Sequence, residues 1–293
     1  MKAAPFDYVR AESTMHALGL LAEHGGDAKL LAGGQSLVPM MAMRLARPAL
    51  LVDIHRLTDL KSIFIEAGRI TLGAGVRQCE IEVKSELDSS VPLVRQALRW
   101  VGHSQTRNRG TLGGSLVHAD PSAELPLATL VLGATMRLHS QTGGERRVNA
   151  SDFFLGPMFT AVSESECLVT VDYPVWQGGR IGSAFDETAI RHGDFAMASA
   201  ACQLQLDAQG VCRRASFGLG GVSGTPLSFP GLAQRLEGER ISAALVAEVA
   251  HAAARESDPG SDMHAGAEYR RHLAAVLLSR VLLQAANDAL AAH

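Results

Sequence analysis

The sequence has few cysteines, and no two of them are close together. Its four cysteines, Cys79, Cys167, Cys202 and Cys212, include no C-x-x-C pair. This argues against a structural zinc site or an iron–sulfur cluster held by this chain alone. The 11 histidines are scattered and form no H-E-x-x-H motif. We expect four mostly buried, reduced thiols, so any redox chemistry needs an organic cofactor or a partner.

Blocks of one charge and long apolar runs are also scarce. The formal net charge is −3 and no Lys/Arg block stands out, so nucleic-acid binding has little support. The opening residues MKAAPFDYVRAEST lack the apolar core of a signal peptide. The apolar stretches Leu30–Met43 and Leu125–Met136 are too short to span a bilayer. We therefore expect a soluble, cytoplasmic chain with no membrane span.

The 293 residues are enough for two domains or one large one. The composition shifts near Pro174–Gly182, which we predict to be a linker. We expect domains at 1–175, with subdomains at about 1–55 and 56–175, and at 176–293. The predicted helices are Thr14–Glu23, Leu37–Leu45, Val91–Val101, Ala123–Leu132, Ile241–Ala254 and Tyr269–Leu290. The predicted strands are Ala28–Leu31, Leu50–Ile54, Arg69–Gly75, Met136–His139, Cys167–Tyr173, Ala198–Leu206 and Ala215–Leu219.

Two glycine turns, Ala32–Ser36 and Thr111–Ser115, carry the clearest hint of a ligand. Glycine pairs allow close approach of the main chain, and successive free amides form an anion-binding nest. A helix that begins at Leu37 would add a partial positive charge. Neither turn is G-x-G-x-x-G or G-x-x-x-x-G-K-[ST], which excludes a Rossmann or P-loop interpretation. The residues alone leave two alternatives open, tight structural turns and two nests for a phosphorylated cofactor.

Longer segments around these turns resemble a known family. They are LLAGGQSLVPMMAMRLARPALLVDI at Leu30–Ile54 and RNRGTLGGSLVHADPSAELP at Arg107–Pro126, followed by Gly193-Asp194-Phe195 and by Glu268–Arg271. In this order they resemble the FAD-binding medium subunits of carbon monoxide dehydrogenase and related molybdenum hydroxylases, the xanthine dehydrogenase family included. The resemblance covers essentially the whole chain.

The resemblance implies an α+β fold in two parts. The first is a two-subdomain FAD-binding domain of the vanillyl-alcohol-oxidase/PCMH type, with FAD between the subdomains. The second is a C-terminal α+β domain with an antiparallel sheet of three or four strands and helices, which would close over the flavin edge. The FAD is expected to be bound noncovalently.

The resemblance also implies where each residue lies along the cofactor. Leu30 to Leu37 would line the pyrophosphate and ribityl side, and Thr111 to Ser115 would form the second wall. Glu124 would hydrogen-bond FAD, while the backbone of Leu168 would contact it. Phe195 would lie beside the isoalloxazine ring and Val101 near the adenine side. The implied set is Leu30, Leu31, Ala32, Gly33, Gly34, Gln35, Ser36, Leu37, Val101, Thr111, Gly113, Gly114, Ser115, Glu124, Leu168 and Phe195.

The sequence departs from its relatives at Asp186-Glu187, where relatives often carry a lysine. An acidic pair beside the flavin would disfavour the anionic reduced form and lower its potential. The implied partners are a molybdenum-cofactor large subunit and a [2Fe–2S] small subunit, in a dimer of heterotrimers. The FAD would collect electrons from the iron–sulfur partner and deliver them to NAD, oxygen, a quinone or another carrier.

Several alternatives stay open at this point. A free-standing flavin-dependent oxidase or reductase would need a substrate-binding cap, and no cap constellation is visible in the second half. A binding module without flavin is opposed by the two intact turns. His118 with Asp120 is a candidate catalytic pair, although such neighbours usually stabilise a loop. His103 or His118 is a candidate covalent flavin link.

Two clusters near the turns also have two interpretations. Arg107 and Arg109 either pair with the diphosphate or belong to a solvated basic loop. Met40, Met41 and Met43 are expected to pack on a helix face. No catalytic residue and no metal ligand is predicted in this chain.

Overall fold

The computed structural model describes residues 2–87 and 90–291, which form eleven α-helices and fourteen strands. The chain also has two short 3₁₀ helices, Gly25–Asp27 and Ser85–Leu87. The helices are α1 (Thr14–His24), α2 (Leu37–Ala42), α3 (Gln78–Glu82), α4 (Pro92–Leu98), α5 (Ser104–Arg107), α6 (Leu112–His118), α7 (Glu124–Val131), α8 (Ala150–Phe153), α9 (Pro230–Gln234), α10 (Ala243–Glu256) and α11 (Ala267–Ala291). The strands are β1 (Asp7–Arg10), β2 (Ala28–Leu31), β3 (Leu50–Asp53), β4 (Ile63–Glu66), β5 (Arg69–Gly73), β6 (Thr135–Ser140), β7 (Gly144–Asn149), β8 (Phe154–Gly156), β9 (Phe159–Thr160), β10 (Glu166–Pro174), β11 (Arg180–Thr188), β12 (Ala198–Leu206), β13 (Cys212–Gly220) and β14 (Leu227–Ser228).

The first sheet is small and parallel, in the order β1-β3-β2. Ser13 caps the start of helix α1: its side chain accepts a hydrogen bond from the backbone N–H of His16. Its buried side chains, Ala17, Leu18 and Leu21, pack in the same core cluster as the β3 residue Val52. The first glycine turn directly follows β2, so this core cluster fixes its position.

The second sheet is antiparallel, in the order β4-β5-β10-β6-β7. Its central strand β10 is almost entirely buried, and helices α4, α6 and α7 contribute to the same core. Helix α7 is buried along its whole length, as expected for a helix enclosed between two sheets. It therefore links the second sheet to the third.

The third sheet is antiparallel, in the order β11-β12-β13-β14, and helices cover both of its faces. Side chains alternate between the faces along a strand. On β11, Gly182 lies against the backbone of Ala285 in α11, whereas the Ser183 hydroxyl donates a hydrogen bond to the side-chain oxygen of Gln96 in α4. Even-numbered positions of β11 thus face α11, and odd-numbered positions face α4 and α7.

Helix α11 has the length and apolar composition that would allow it to cross a membrane, although 56% of its most apolar 18-residue stretch is buried inside the protein. Leu273, Leu277 and Val281 of α11 are buried, whereas Val276 is 38% exposed.

The α+β fold predicted from the sequence is confirmed, and the third sheet has four strands. Helix α4 ends at Leu98, three residues before the predicted end, because the chain then tightens: the N–H groups of Trp100 and Val101 donate to carbonyls three residues back, at Ala97 and Leu98. The four cysteines are free; Cys167, Cys202 and Cys212 are buried and Cys79 is half-buried.

Candidate functional site

A cleft of about 1000 Å³ lies between the two glycine turns, the start of α7 and the segment before β12. Its volume is at the upper end of the range for small-molecule and cofactor sites, roughly 300–1,000 Å³. Residues from the loop before α11 and from α11 itself complete its wall. The cleft is therefore built from all three sheets and their connections.

The predicted cofactor-binding residues lie together in this cleft, with one exception. The exception is Leu31, whose Cδ1 atom lies beside Gly34, 3.2 Å from the position of a Cβ there. The others that line the cleft are Leu30, Ala32, Gly33, Gly34, Gln35, Ser36, Leu37, Val101, Thr111, Gly113, Gly114, Ser115, Glu124, Leu168 and Phe195.

The first glycine turn has the free amides that an anion-binding nest requires. Within residues 2–87 and 90–291, no protein acceptor is hydrogen-bonded to the backbone N–H groups from Gly33 to Leu37. Gly34 has a φ of 73°, a conformation that favours glycine. Five successive unpaired N–H groups at the wall of a cleft are suited to an anionic ligand such as a phosphate.

The second glycine turn does not form a nest and corresponds to the other alternative, a tight structural turn. The N–H of Gly113 donates to the carbonyl of Ala74 at 2.8 Å, and the N–H of Leu112 donates to Val76. The N–H of Gly114 donates to the Thr111 side chain at 3.0 Å, because Thr111 caps α6. The turn is instead a closely packed wall: a Cβ at Gly114 would lie 3.8 Å from the Cβ of Ala32 in the first turn.

Arg107 is neither a diphosphate ligand nor part of a solvated loop in this structure. Its guanidinium donates two hydrogen bonds to Glu82, at 2.9 and 3.2 Å, and a third to the Val101 carbonyl at 3.0 Å. The pair is partly buried. Arg107 thus fixes Val101 at the cleft, while Arg109 is exposed, as the solvated alternative expects.

The candidate pair His118 and Asp120 has the features of a loop. Asp120 accepts a hydrogen bond from the Ser122 N–H at 2.9 Å, and Ala119 between them adopts a left-handed conformation with a φ of 49°. Both His118 and Asp120 line the cleft. His103 lies outside it, with its ring against Gly193, so of the two histidines considered as a covalent flavin link only His118 lines the cleft.

The acidic residues at 186 and 187 do not form a negatively charged pair beside the cleft, and that prediction is wrong. The Asp186 carboxylate accepts a hydrogen bond from Arg280 of α11 at 2.6 Å. Glu187 points to the opposite face of the sheet and is 5% exposed. Burial, with Glu124 and Asp186 as further causes, raises the pKa of Glu187 to about 9, so its carboxyl is protonated at neutral pH. Neither residue is among those that line the cleft.

Glu124 is the buried acidic residue of the cleft itself. It is 9% exposed, and burial, with a smaller contribution from Asp120, raises its pKa to about 7. Its carboxyl group exists in both protonation states near neutral pH. It can therefore donate or accept a hydrogen bond to a ligand.

The C-terminal part of the chain also contributes to the cleft wall, which was not predicted from the sequence. Arg270 of α11 is 7% exposed and donates to the Met197 carbonyl and to the Asp262 carboxylate, both at 2.7 Å. Asp262, His264 and Arg270 all line the cleft. The E-Y-R-R motif marked the helix, but no local pattern shows that Arg270 lines the same cleft as the glycine turns.

Phe195 lies at the mouth of the cleft with 76% of its surface exposed. The segment before it is docked on the turn after α4. His192 stacks on Trp100 with ring centroids 5.8 Å apart, and Gly193 is so close to His103 that a Cβ would lie 2.8 Å from the ring. These contacts hold an exposed aromatic ring where it can cover a bound ligand.

Among the residues that the structure describes, no three His, Cys, Asp or Glu side chains lie together in a way that could hold a metal ion. The observed features are an amide nest, a long cleft, a buried carboxyl and an aromatic ring. They fit an organic phosphorylated cofactor with an aromatic ring system.

The protein families that match this sequence bind FAD, in agreement with the features of the cleft. Residues 4–176 match the family described as FAD binding domain in molybdopterin dehydrogenase. Residues 183–285 match the family described as CO dehydrogenase flavoprotein C-terminal domain.

Individual relatives are similar over nearly the whole chain. The 6-hydroxypseudooxynicotine dehydrogenase complex subunit alpha of Paenarthrobacter nicotinovorans is 39% identical, over 99% of this chain and 97% of the relative. The quinoline 2-oxidoreductase structure from Pseudomonas putida 86 has a TM-score of 0.93 at 37% identity, over 99% of this chain and 100% of that one. A carbon monoxide dehydrogenase structure from Hydrogenophaga pseudoflava has a TM-score of 0.94 at 31% identity, over 98% of this chain and 99% of that one.

Proposed function

The chain belongs to the family of FAD-binding medium subunits of molybdenum-containing dehydrogenases, and we propose that it acts there as the electron relay. It is an oxidoreductase subunit whose cofactor is FAD. In this proposal it takes electrons from a [2Fe–2S] partner subunit and passes them to an external acceptor. The free amides from Gly33 to Leu37, at the wall of a cleft that meets all three sheets, are the observation that carries the proposal.

We propose that the residues along the cleft hold FAD as follows. The N–H groups from Gly33 to Leu37 bind the pyrophosphate, which presents two anionic groups to them. The wall formed by Thr111–Ser115 fixes the width of the cleft on the opposite side. Glu124 hydrogen-bonds the cofactor, and Phe195 covers its ring system at the mouth. Bound FAD supplies reversible acceptance of electrons, while the protein supplies binding, orientation and electrostatics.

The organisation around the relay is also proposed. The FAD-binding domain would comprise residues 1–175, with subdomains at about 1–55 and 56–175, and the C-terminal domain residues 176–293. A molybdenum-cofactor large subunit and a [2Fe–2S] small subunit would join it in a dimer of heterotrimers. The named relatives act on 6-hydroxypseudooxynicotine, quinoline and carbon monoxide. Such different substrates with one shared FAD fold favour a substrate site in another subunit.

Copurification and cofactor release test this function. An affinity-tagged full chain, expressed in its own host, should bring down two further subunits that contain molybdenum and iron–sulfur centres. Acid precipitation should release yellow FAD into the supernatant. A tagged chain that purifies alone and reduces or oxidises a small substrate would establish a free-standing flavoenzyme instead. A chain that binds no added FAD would overturn the assignment.

A further inference from the structure

The buried side chain of Gln78 lies at the cleft wall without a hydrogen-bond partner. Gln78 is the first residue of α3, lines the cleft and is only 4% exposed. Within residues 2–87 and 90–291, its side-chain amide makes no hydrogen bond. Its Oε1 atom is fully enclosed, whereas its Nε2 atom is not, so the amide nitrogen is the end that is open to the cleft. A buried amide without a partner is unfavourable and is rare in folded proteins.

The backbone around Gln78 fixes this amide in place. The N–H of Gln78 donates to the carbonyl of Gly110 at 2.9 Å. A Cβ at Gly110 would lie 2.5 Å from the Oε1 atom of Gln78 and 2.9 Å from its Cδ atom. Any larger residue at position 110 would therefore displace the amide. The fold thus holds a polar group at the cleft and offers it no partner among the described residues.

The amide of Gln78 is close to the free N–H groups of the first glycine turn. A Cβ on Gly33, the first residue of that turn's nest, would lie 2.8 Å from the Cα of Gly110. Gly110 therefore lies against both the nest and Gln78. In the proposed site this nest binds the pyrophosphate of FAD. The pyrophosphate joins two groups that carry hydroxyls, the ribityl chain of the flavin and the ribose of adenosine.

A hydroxyl complements a glutamine amide at this place better than a phosphate does. A hydroxyl can accept a hydrogen bond from the Nε2 atom of Gln78, and it can donate one to Oε1 if the amide turns about its last torsion. A phosphate oxygen can only accept, and it would repel Oε1. The free amides from Gly33 to Leu37 already supply donors for the phosphates. A sugar hydroxyl next to the pyrophosphate is therefore the partner that the amide lacks.

We propose that the side-chain amide of Gln78 hydrogen-bonds a sugar hydroxyl of the cofactor, in the ribityl chain or in the ribose, beside the pyrophosphate. Gln78 is not among the cofactor-binding residues expected from the sequence. It is a specificity-determining residue, because a cofactor without that hydroxyl leaves the amide unpaired. The inference rests on the proposed FAD site.

The first experiment compares two glutamines in the full chain. Gln96 is the matched control: it is half-buried, lies outside the cleft lining and bonds Ser183 through both ends of its amide, at 2.9 and 3.3 Å. In Gln78→Met the dissociation constant of FAD, measured by flavin fluorescence, should rise about tenfold. Urea unfolding of the ligand-free variant should show unchanged or greater stability, because only an unpaired amide is lost. Gln96→Met should show the reverse: lower stability, and an FAD constant within a factor of about two of the wild type, since that site is independent.

The outcomes separate a binding role from a structural one. Wild-type FAD affinity in Gln78→Met, or a loss of ligand-free stability equal to that of Gln96→Met, would overturn the inference. Gln78→Glu is the second variant if Gln78→Met does not fold. It keeps the shape of the side chain, places a negative charge beside the pyrophosphate and should weaken FAD binding more than Gln78→Met does. Wild-type affinity in Gln78→Glu would count equally against the inference. No FAD binding by the wild type would instead overturn the proposed function.

The second experiment locates the hydroxyl with two FAD analogues. One has an unsubstituted alkyl chain in place of the ribityl chain, and the other has a dideoxyribose in its adenosine half. Gln78→Met should cause no further loss of affinity for the analogue that lacks the contacted hydroxyl, and the full loss for the other, because the two changes remove the same interaction. The result therefore assigns the contact to the ribityl chain or to the ribose. A full loss with both analogues would show that Gln78 contacts a phosphate or a ring, and would overturn the hydroxyl contact.

Discussion

Gly33 and Arg109 approach each other so closely that the two glycine-turn segments share one packed interface. A Cβ built on Gly33 would lie 2.3 Å from the carbonyl oxygen of Arg109 and 2.8 Å from the Cα of Gly110. Real Cβ atoms do not make such contacts, and the neighbour here is backbone. The glycine is therefore required by the protein's own packing, in addition to any ligand.

We predict that Gly33→Ala weakens both the fold and the cofactor site. The segment at Arg109 must move away, which should reduce the free energy of unfolding by about 1–3 kcal/mol and empty the cleft of FAD. Urea denaturation and the flavin content of the purified chain measure the two effects.

The control for this change is Gly231→Ala in α9, where a Cβ would meet nothing within 4 Å. Alanine is preferred over glycine in a helix by roughly 0.5–1 kcal/mol, so this variant should be unchanged or slightly more stable. If Gly33→Ala behaved like Gly231→Ala in both assays, the packing argument would be wrong.

Arg107 should contribute far more to stability than an exposed arginine does. Arg107→Ala removes two hydrogen bonds to Glu82 and one to Val101, and bonds between charged partners contribute about 1.5–3 kcal/mol. We expect a loss in that range, together with weaker FAD binding because Val101 is released. The exposed pair between Arg69 and Glu66 is the comparison, and Arg69→Ala should cost at most about 1 kcal/mol. Equal losses in the two variants would contradict the structural role of Arg107.

The sequence was sufficient for the central elements and insufficient for the edges. The buried strands β3, β10 and β12 carry apolar patterns and were predicted. The missed strands β1, β4, β7, β8, β9, β11 and β14 all lie at sheet edges. Strands β4 and β7 are largely exposed, so their sequences lack the apolar pattern on which the prediction depends. Strand β11 is largely buried, but Gly182, Ser183 and Glu187 are among its buried residues, so its burial leaves no apolar run.

The same contrast holds within the site. The two turns were visible because glycine pairs are a local signal, but the hydrogen bonds of their amides depend on distant carbonyls such as that of Ala74. Asp186 and Glu187 looked like one acidic pair in the sequence, and strand geometry sends them to opposite faces. Arg270 was missed because its contacts with Met197 and Asp262 are set by tertiary packing alone.

The buried Glu187 should make stability depend on pH in a defined direction. Its pKa is about 9 in the folded chain against an ordinary value of 4.5. Between these values the unfolded chain is ionised and the folded chain is protonated, so stability falls as pH rises, by about 1.4 kcal/mol per pH unit at most. Glu187→Gln should remove this slope and be more stable than the wild type at about pH 8. Urea unfolding at several pH values measures it, with Asp186→Asn as the control, and a variant slope equal to that of the wild type would contradict the burial of a protonated acid.

Phe195 should control access to the flavin without supporting the fold. Because 76% of its surface is exposed, Phe195→Ala should change stability by less than about 0.5 kcal/mol and should keep FAD bound. Loss of the ring opens the mouth of the cleft, so reoxidation of the reduced flavin by oxygen should change. Stopped-flow absorbance measures the rate, and Phe159→Ala, an exposed phenylalanine outside the cleft lining, is the control. Identical reoxidation in both variants would remove Phe195 from the site.

The purified chain alone should have no turnover on any substrate of a molybdenum hydroxylase. Hydroxylation with oxygen derived from water needs a metal centre, and the described residues gather no three ligands for one. In the proposed relay, electrons arrive across a subunit boundary, near the edge of the bound flavin that the mouth of the cleft leaves accessible. Addition of the molybdenum and [2Fe–2S] subunits should restore flavin reduction that depends on substrate, followed as bleaching of the flavin absorbance. Omission of the [2Fe–2S] subunit alone should abolish it, since no carrier would connect the two centres. A metal-free preparation of this chain that oxidised a heterocycle or an aldehyde at an ordinary enzymatic rate would replace the relay with a free-standing flavoenzyme.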